Sequence, residues 1–351
     1  MPPRQDHYAI AIGIDTYPAL RLLKSSVSDA IDFLDWLTDE DGGNVAAENV
    51  KLIRSPEEIP TDRFDARPIQ DEIDRALRDF GAETGFKIGT RLYFYFAGHG
   101  FGPKFNDVGM LMATAGMQSL TKNIGLQAYR EYFHDTGLFD EVVFFVDCCR
   151  DNARGVVTRA PDFEVKRAQN GATKIVDFVV LAAGYGDQAF APVDVVDGER
   201  RGILTKALLE ALRGDPKALD SQGRVTAASL QLYIKERVKA IATDEKLKQE
   251  PETPQDLNPA LVFLEKDLNT LDRLEVHIVA PAGTTGDLII RDARDLSQEV
   301  ARHDAATATA ATPWVIHLPS ITRYEIENPD SGRIVVLDPV KAKEKPHVFR
   351  F

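Results

Sequence analysis

The chain has 351 residues, 44% of them hydrophobic, and a formal net charge of −13 at pH 7. That length holds two or three domains and a sizeable core, and the charge argues against nucleic acid as a general partner, because phosphate binding needs a basic face. The only cysteines, Cys148 and Cys149, are adjacent; they exclude a disulfide framework and a zinc site of normal ligand spacing, and they fit a reducing, cytoplasmic setting.

The first apolar run, "YAIAIGI" (8–14), is bounded by Gly and Asp and predicts a strand buried on both faces. In "HYAIAIGID" it meets Asp15 too soon to serve as a signal-peptide core or to span a membrane, so no membrane partner is expected. Val27, Ile31, Leu34 and Leu37 recur at helical spacing, and "NVKLIRS" (49–55) predicts a second strand. Ile69, Ile73, Leu77 and Phe80 mark another amphipathic helix. "RLYFYFAGHG" (91–100) is a third buried strand that ends in a glycine-flanked histidine, His99. Residues 121–137 read as helix, "EVVFFVDCC" (141–149) as a fourth strand and "KIVDFVVLAAG" (174–184) as a fifth. Helices are expected at 201–214, closed by Gly214, and at 226–244, with a last strand at 259–266.

Strands alternating with helices predict an α/β domain over 1–266, with a mostly parallel six-stranded sheet and helices on both faces. After Lys266 the texture changes to short alternating strands such as "RLEVHIVAP", "GDLIIRDA" and "GRIVVLDP", with Gly, Pro and Asp at the joints. Residues 267–351 therefore predict a small all-β, sandwich-like domain. Its histidines, His277, His303, His317 and His347, lack metal-ligand spacing. One segment, 151–174, joins strands four and five without periodicity, and connections this long inside a domain are functional or disordered.

In open α/β sheets reactive groups gather at the carboxyl ends of strands. His99 and the Cys148–Cys149 pair both stand at such ends, so an imidazole and a thiol share one rim. A nucleophilic cysteine needs such a neighbour, because an unassisted thiol is mostly protonated at neutral pH. The plainer account is a strand that ends in buried packing thiols.

The order "YAIAIGI", "FAGHG", "VDCCRD", "LAAGYGDQAFA" resembles the caspase-like cysteine peptidases, within them the metacaspase and bacterial caspase-homologue branch, over residues 6–266. The resemblance implies a caspase-like sandwich and a Cys–His dyad. The family's nucleophile is the second residue after the acidic position, which is Cys149. Strand alternation agrees, placing Asp147 and Cys149 on one side and Cys148 on the other. His99 then serves as general acid and base, and the N–H groups of Gly100 and Cys149 form the oxyanion hole.

Metacaspase-type members cut after Arg or Lys, and Asp147 and Asp29 match their acidic pocket, with Asp187 as a further substrate-binding candidate. Animal caspases instead hold Asp with arginines, and Arg21 stands where such a residue can sit, so Asp specificity stays open. Arg150 and Asp151 after the nucleophile are closer to animal caspases as well. The family's linker after the nucleophile is often processed, which makes Arg154, Arg159, Lys166 and Arg167 autoprocessing candidates. No cofactor or metal is expected. Calcium, which activates some metacaspases, stays open, although no EF-hand loop is present.

The implied function is a cysteine endopeptidase acting on peptides or proteins with a basic residue at the cleavage site. A small-molecule or protein activator would act through the C-terminal domain, and family analogy extends to a bacterial stress or antiviral defence effector. The alternative is an inactive caspase homologue that acts as a scaffold or ligand-binding module.

Overall fold

The computed structural model describes residues 2–164, 166–193, 200–220, 222–254, 261–267, 273–293, 295–320, 323–338 and 347–351, without the side chains of Asp295, Gln298 and His347. The chain divides into two compact units, Met1–Leu209 with Ile234–Asn258, and Glu210–Tyr233 with Pro259–Phe351. Residues 210–233 and 259–266, which the sequence assigned to the first domain, thus fall in the second unit. No helix among the described residues is long and apolar enough to cross a membrane.

The first unit begins with β1 (His7–Gly13), α1 (Ser26–Thr38), β2 (Val50–Arg54), α2 (Gln70–Phe80) and β3 (Gly89–Ala97). Three short strands follow, β4 (Gly100–Gly102), β5 (Gly109–Leu111) and β6 (Asn123–Gly125), and then α3 (Leu126–Thr136) and β7 (Phe139–Asp147). β8 (Asp151–Asn152), β9 (Val176–Leu181) and the start of α4 (Ile203–Leu212) come next. The central sheet has the order β2-β1-β3-β7-β9 and is parallel throughout.

Its strands read as unbroken apolar runs because both faces are covered. Ile12, Phe94, Phe96, Phe144, Val146 and Leu181 share one core with Ile73 and Leu77 of α2 and Tyr129 and Phe133 of α3. Across the sheet, Phe33 of α1 stacks on Tyr95 at 4.7 Å and meets the edge of Phe145 at 5.7 Å. This stack rotates α1 from the stripe expected at Val27, Ile31 and Leu34. Leu37 is buried as expected, but Asp29, Ala30, Phe33 and Trp36 join it in place of the other three, which turns a carboxylate inward. Asp15 caps α1, accepting from Ser26 N–H at 2.8 Å and Val27 N–H at 3.3 Å.

Among the described residues the central sheet has five strands where the sequence predicted six. The position beside the end of β9 is taken by Glu252, which exchanges two backbone hydrogen bonds with Leu181, at 2.8 and 3.0 Å. The expected sixth strand, β11 (Val262–Glu265), pairs antiparallel with β10 (Arg224–Thr226), which precedes α5 (Ala227–Asp244). Residues 123–125, read as helix, pair with β5 in a small second sheet of order β6-β5-β4-β8.

The second unit carries β12 (Arg273–Val279), β13 (Asp287–Asp292), β14 (Asp295–Asp304), β15 (Trp314–Pro319), β16 (Tyr324–Asn328), β17 (Arg333–Leu337) and β18 (His347–Arg350). They form two sheets, β15-β12-β18 and β14-β13-β16-β17. Alternate residues Leu274, Val276 and Ile278 of one sheet join Leu288, Ile290, Tyr324 and Ile326 of the other in one core. That alternation is the period-two pattern of a sheet with one wet face. His277 and His317 both reach Glu275, at 2.6 and 3.6 Å, and His303 stacks on Trp314. His347's side chain lies outside the described residues.

Candidate active site

The register of the central sheet places the chemistry. Gly13 is opposite Ala97, and Ala97 is opposite Asp147, so β1, β3 and β7 end level. Gly98 N–H donates to Asp147 C=O at 3.2 Å as the two chains leave the sheet. Pairing resumes in β4 and β8, where Phe101 is opposite Asp151. His99 and Cys149 lie in the gap between these two pairings, on one wall-to-wall cleft of about 620 Å³. Gly100 presses on Cys148 Sγ and the Cys149 carbonyl, where any side chain would collide. Sequence periodicity did not show β4 and β8, which are two or three residues long.

Cys148 is buried among the apolar residues of the core, and burial pushes its thiol well up. Cys149 is half-buried and faces the cleft. Its Sγ accepts Ala189 N–H at 3.3 Å and lies 3.6 Å from Ala189 C=O. Burial raises the Cys149 thiol as well, and the Ala189 N–H partly offsets this.

His99 is positioned by groups that the sequence reading did not single out for it. Nε2 lies 2.7 Å from the carbonyl oxygen of Arg21. A carbonyl only accepts, so Nε2 carries the proton and Nδ1 is the basic nitrogen of the neutral ring. The buried Tyr17 ring meets the imidazole edge-on at 4.8 Å, and its hydroxyl accepts His99 N–H at 3.0 Å while donating to Leu111 C=O at 3.1 Å. Burial lowers the imidazole's pKa. Among the described residues no hydrogen bond joins the ring to Cys149 Sγ. The thiol and the imidazole are therefore two neutral groups facing one cleft.

Asp29 and Asp147 line the same cleft. Both are buried, at 1% and 8% exposure, too little for water to solvate two charges. Asp147 Oδ2 accepts from Thr205 N–H at 3.1 Å and from the Thr205 hydroxyl at 2.7 Å. Asp29 Oδ2 accepts Gly202 N–H at 3.0 Å, and Asp29 Oδ1 is buried without a hydrogen-bond partner among the described residues. Only glycine fits at 202, because a side chain there would strike the Asp147 carboxylate. Burial raises Asp147 to about 6. Burial and then the neighbouring Asp147 raise Asp29 well above the carboxylate range.

Other expected site residues fall elsewhere. Asp187 is exposed and lies off the cleft; its carbonyl accepts Arg150 N–H at 2.9 Å. Arg150 is fully buried, donating to Ala183 C=O at 3.2 Å and pairing with Glu252, so it braces the site from behind. Arg154, Arg159, Lys166 and Arg167 are exposed and off the cleft. Among the described residues no group of three or more His, Cys, Asp or Glu is arranged to hold a metal ion.

Gln249 went unnoticed in the sequence. It is buried, accepts Phe190 N–H at 2.8 Å and donates to Ala182 C=O at 3.0 Å, fixing the segment whose Ala189 covers Cys149. Gln249→Ala leaves two backbone groups unpaired, each costing about 1–3 kcal/mol. The variant is expected to melt at lower temperature and to expose Cys149 to iodoacetamide several-fold faster, with Cys148 unmodified. Peptide mapping by mass spectrometry reads both thiols.

Residues 6–262 match the Caspase domain family model (Peptidase_C14). The chain is 30% identical over 226 residues to a probable protease from a Desulfuromonadales bacterium, covering 60% of this chain and 26% of that one. It thus spans about a quarter of the length of the curated relative it matches. Among solved structures it is similar to caspase-1 from Spodoptera frugiperda, at 14% identity and TM-score 0.45, covering 76% of this chain and 92% of that one. A protein from Geobacter sulfurreducens matches at 14% identity and TM-score 0.44, covering 74% and 97%. The chain belongs to the caspase domain family, a family of cysteine peptidases.

Proposed function

We propose that the protein is a cysteine endopeptidase that cleaves peptides after Arg or Lys. The observation that carries this reading is the pair of buried carboxylates, Asp29 and Asp147, on the cleft that also holds Cys149 and His99. A guanidinium entering there meets two acceptors, including the orphaned Asp29 Oδ1, and forms charge-assisted hydrogen bonds. Burial depresses the imidazole and raises the thiol, so the neutral pair is the resting state. Cys149 gives its proton to His99 Nδ1 as Sγ attacks the scissile carbonyl. The resulting oxyanion is held by the N–H groups of Gly100 and Cys149. The imidazolium then protonates the leaving amine, and a water activated by His99 hydrolyses the thioester.

A library of fluorogenic peptides that differ only in the residue before the scissile bond tests the specificity. Arg and Lys peptides are expected to be cleaved, and a preference for Asp would restore the animal-caspase alternative and overturn the acidic pocket. No cleavage of any peptide would favour the scaffold reading.

The segment 151–174 packs on the core through Ala153, Val156, Phe163 and Ala168, and its exposed basic residues make it a candidate for self-processing. Its Arg154, Arg159, Lys166 and Arg167 are residues that such a pocket accepts, and exposed irregular chain is where nicking concentrates. Incubated wild type is expected to show new termini in this segment by mass spectrometry, and Cys149→Ala to stay intact. An intact wild-type chain after full turnover of peptide would remove the role. The β module at 267–351 offers a place for an activator, and a signal-triggered defence role would follow from such coupling.

A further inference from the structure

The residue that follows the scissile bond has its own surroundings in this cleft. His99 protonates the departing amine, so that residue lies on the His99 side. The same side is built by the segment after β1, because the Arg21 carbonyl holds the His99 ring at 2.7 Å. Arg21 and Lys24 both line the cleft there, both are exposed, and neither side chain has a partner among the described residues. Among the described residues Arg200 is the other cation on the cleft, and it is engaged with Ala191 C=O at 3.1 Å. Among the described residues Asp151 is the carboxylate whose charge acts on both His99 and Cys149. Burial lowers the His99 imidazole, the hydrogen bond to the Arg21 carbonyl raises it, and the charge of Arg21 lowers it, so the guanidinium acts electrostatically on the ring.

We propose that Arg21 and Lys24 select an acidic residue immediately after the scissile bond, so that the preferred cleavage site is a basic residue followed by Asp or Glu. This rests on the Arg/Lys reading of the Asp29–Asp147 pocket. It also gives the cleft a charge order, negative for the acyl side and positive for the leaving side. Such a dipolar site sets the direction in which a peptide of mixed charge lies, and rejects the reversed one by like-charge contacts.

The test uses internally quenched peptides of one sequence with Arg before the scissile bond and Asp, Ala or Lys after it. The full-length protein is expected to cleave the Asp peptide with kcat/KM roughly three- to tenfold above Ala, and Lys below both, the scale of a few exposed charge pairs. The Asp-to-Ala ratio should shrink in 0.5 M salt, since such pairs are screened beyond a few ångströms. In Arg21→Gln with Lys24→Gln the ratio should fall to about one, and in Arg21→Lys it should survive. Taking the ratio removes any change in overall rate that comes from disturbing the Arg21 backbone. Cleavage after Arg with no dependence on the following residue overturns this proposal alone. Failure to cleave any Arg peptide overturns the basic-residue pocket and this proposal with it.

Discussion

Cys149→Ala and His99→Ala are each expected to abolish peptide cleavage, a loss of several orders of magnitude, while Cys148→Ala retains much of the activity. The two active groups work as a unit, so removing either costs about as much as removing both. The geometry distinguishes the cysteines. Both border the cleft, but Cys149 is half-buried, whereas Cys148 is buried in the core under Gly100, where burial pushes its thiol well up. Shortening Cys148 leaves a small cavity, which lowers stability more than turnover. The resting site lacks a thiol–imidazole hydrogen bond, and Ala189 holds the sulfur instead. Substrate must therefore bring His99 and Cys149 to bear on one carbonyl. Tyr17→Phe tests the positioning of the ring: the hydroxyl that links His99 N–H to Leu111 C=O is lost, turnover of an Arg peptide falls roughly tenfold for about 1–2 kcal/mol, and alkylation of Cys149 is unchanged. If Cys148→Ala is dead and Cys149→Ala active, the assignment reverses.

His99 and Cys149 were legible because each ends a long apolar strand, and a polar residue after such a run breaks its pattern. Asp29 and Asp147 were legible through the family resemblance, while helix periodicity misplaced the buried face of α1. Phe33 decided that face by stacking on Tyr95, a contact between residues 62 apart that no local pattern records. The acceptor for His99 is a backbone carbonyl, and its accepting function does not depend on the identity of Arg21. Gln249 is a single polar residue in an irregular segment, and only the fold reveals the N–H and C=O that it joins. The sixth strand failed for a related reason. "VFLE" has the composition of a strand, but composition does not choose a partner, and β10, too short to detect, supplied the edge. Asp187 was selected for its charge near a matching motif, yet the turn at Gly186 carries it to solvent.

Binding of basic substrates is expected to strengthen as pH rises through about 6, with KM for an Arg peptide falling several-fold while an Ala peptide shows no such change. The cause is the Asp29–Asp147 pair. Burial favours the protonated form of both, and Asp147 ionises near 6, against about 4 for an ordinary carboxylate. The folded pKa is raised, so the contribution of Asp147 to stability is fully present below about pH 4 and is lost as pH rises through about 6. That displacement amounts to roughly 3 kcal/mol between the protonation states. A guanidinium reverses the balance, because it pairs with the ionised form and so releases the proton. Free enzyme is thus expected to lose thermal stability between about pH 4 and 6, and an arginine-containing inhibitor to restore it. Asp147→Asn removes the ionisation, keeps an acceptor for Thr205, and is expected to flatten the pH dependence of stability. The same variant should weaken cleavage after Arg by about 3–5 kcal/mol, the cost of a buried charge pair that loses one partner. Calorimetric melts and KM measured from pH 4 to 8 on wild type and Asp147→Asn decide the matter. A KM that is flat across that range in wild type, or unchanged cleavage after Arg in Asp147→Asn, would show that the two carboxylates hold the fold together rather than the substrate.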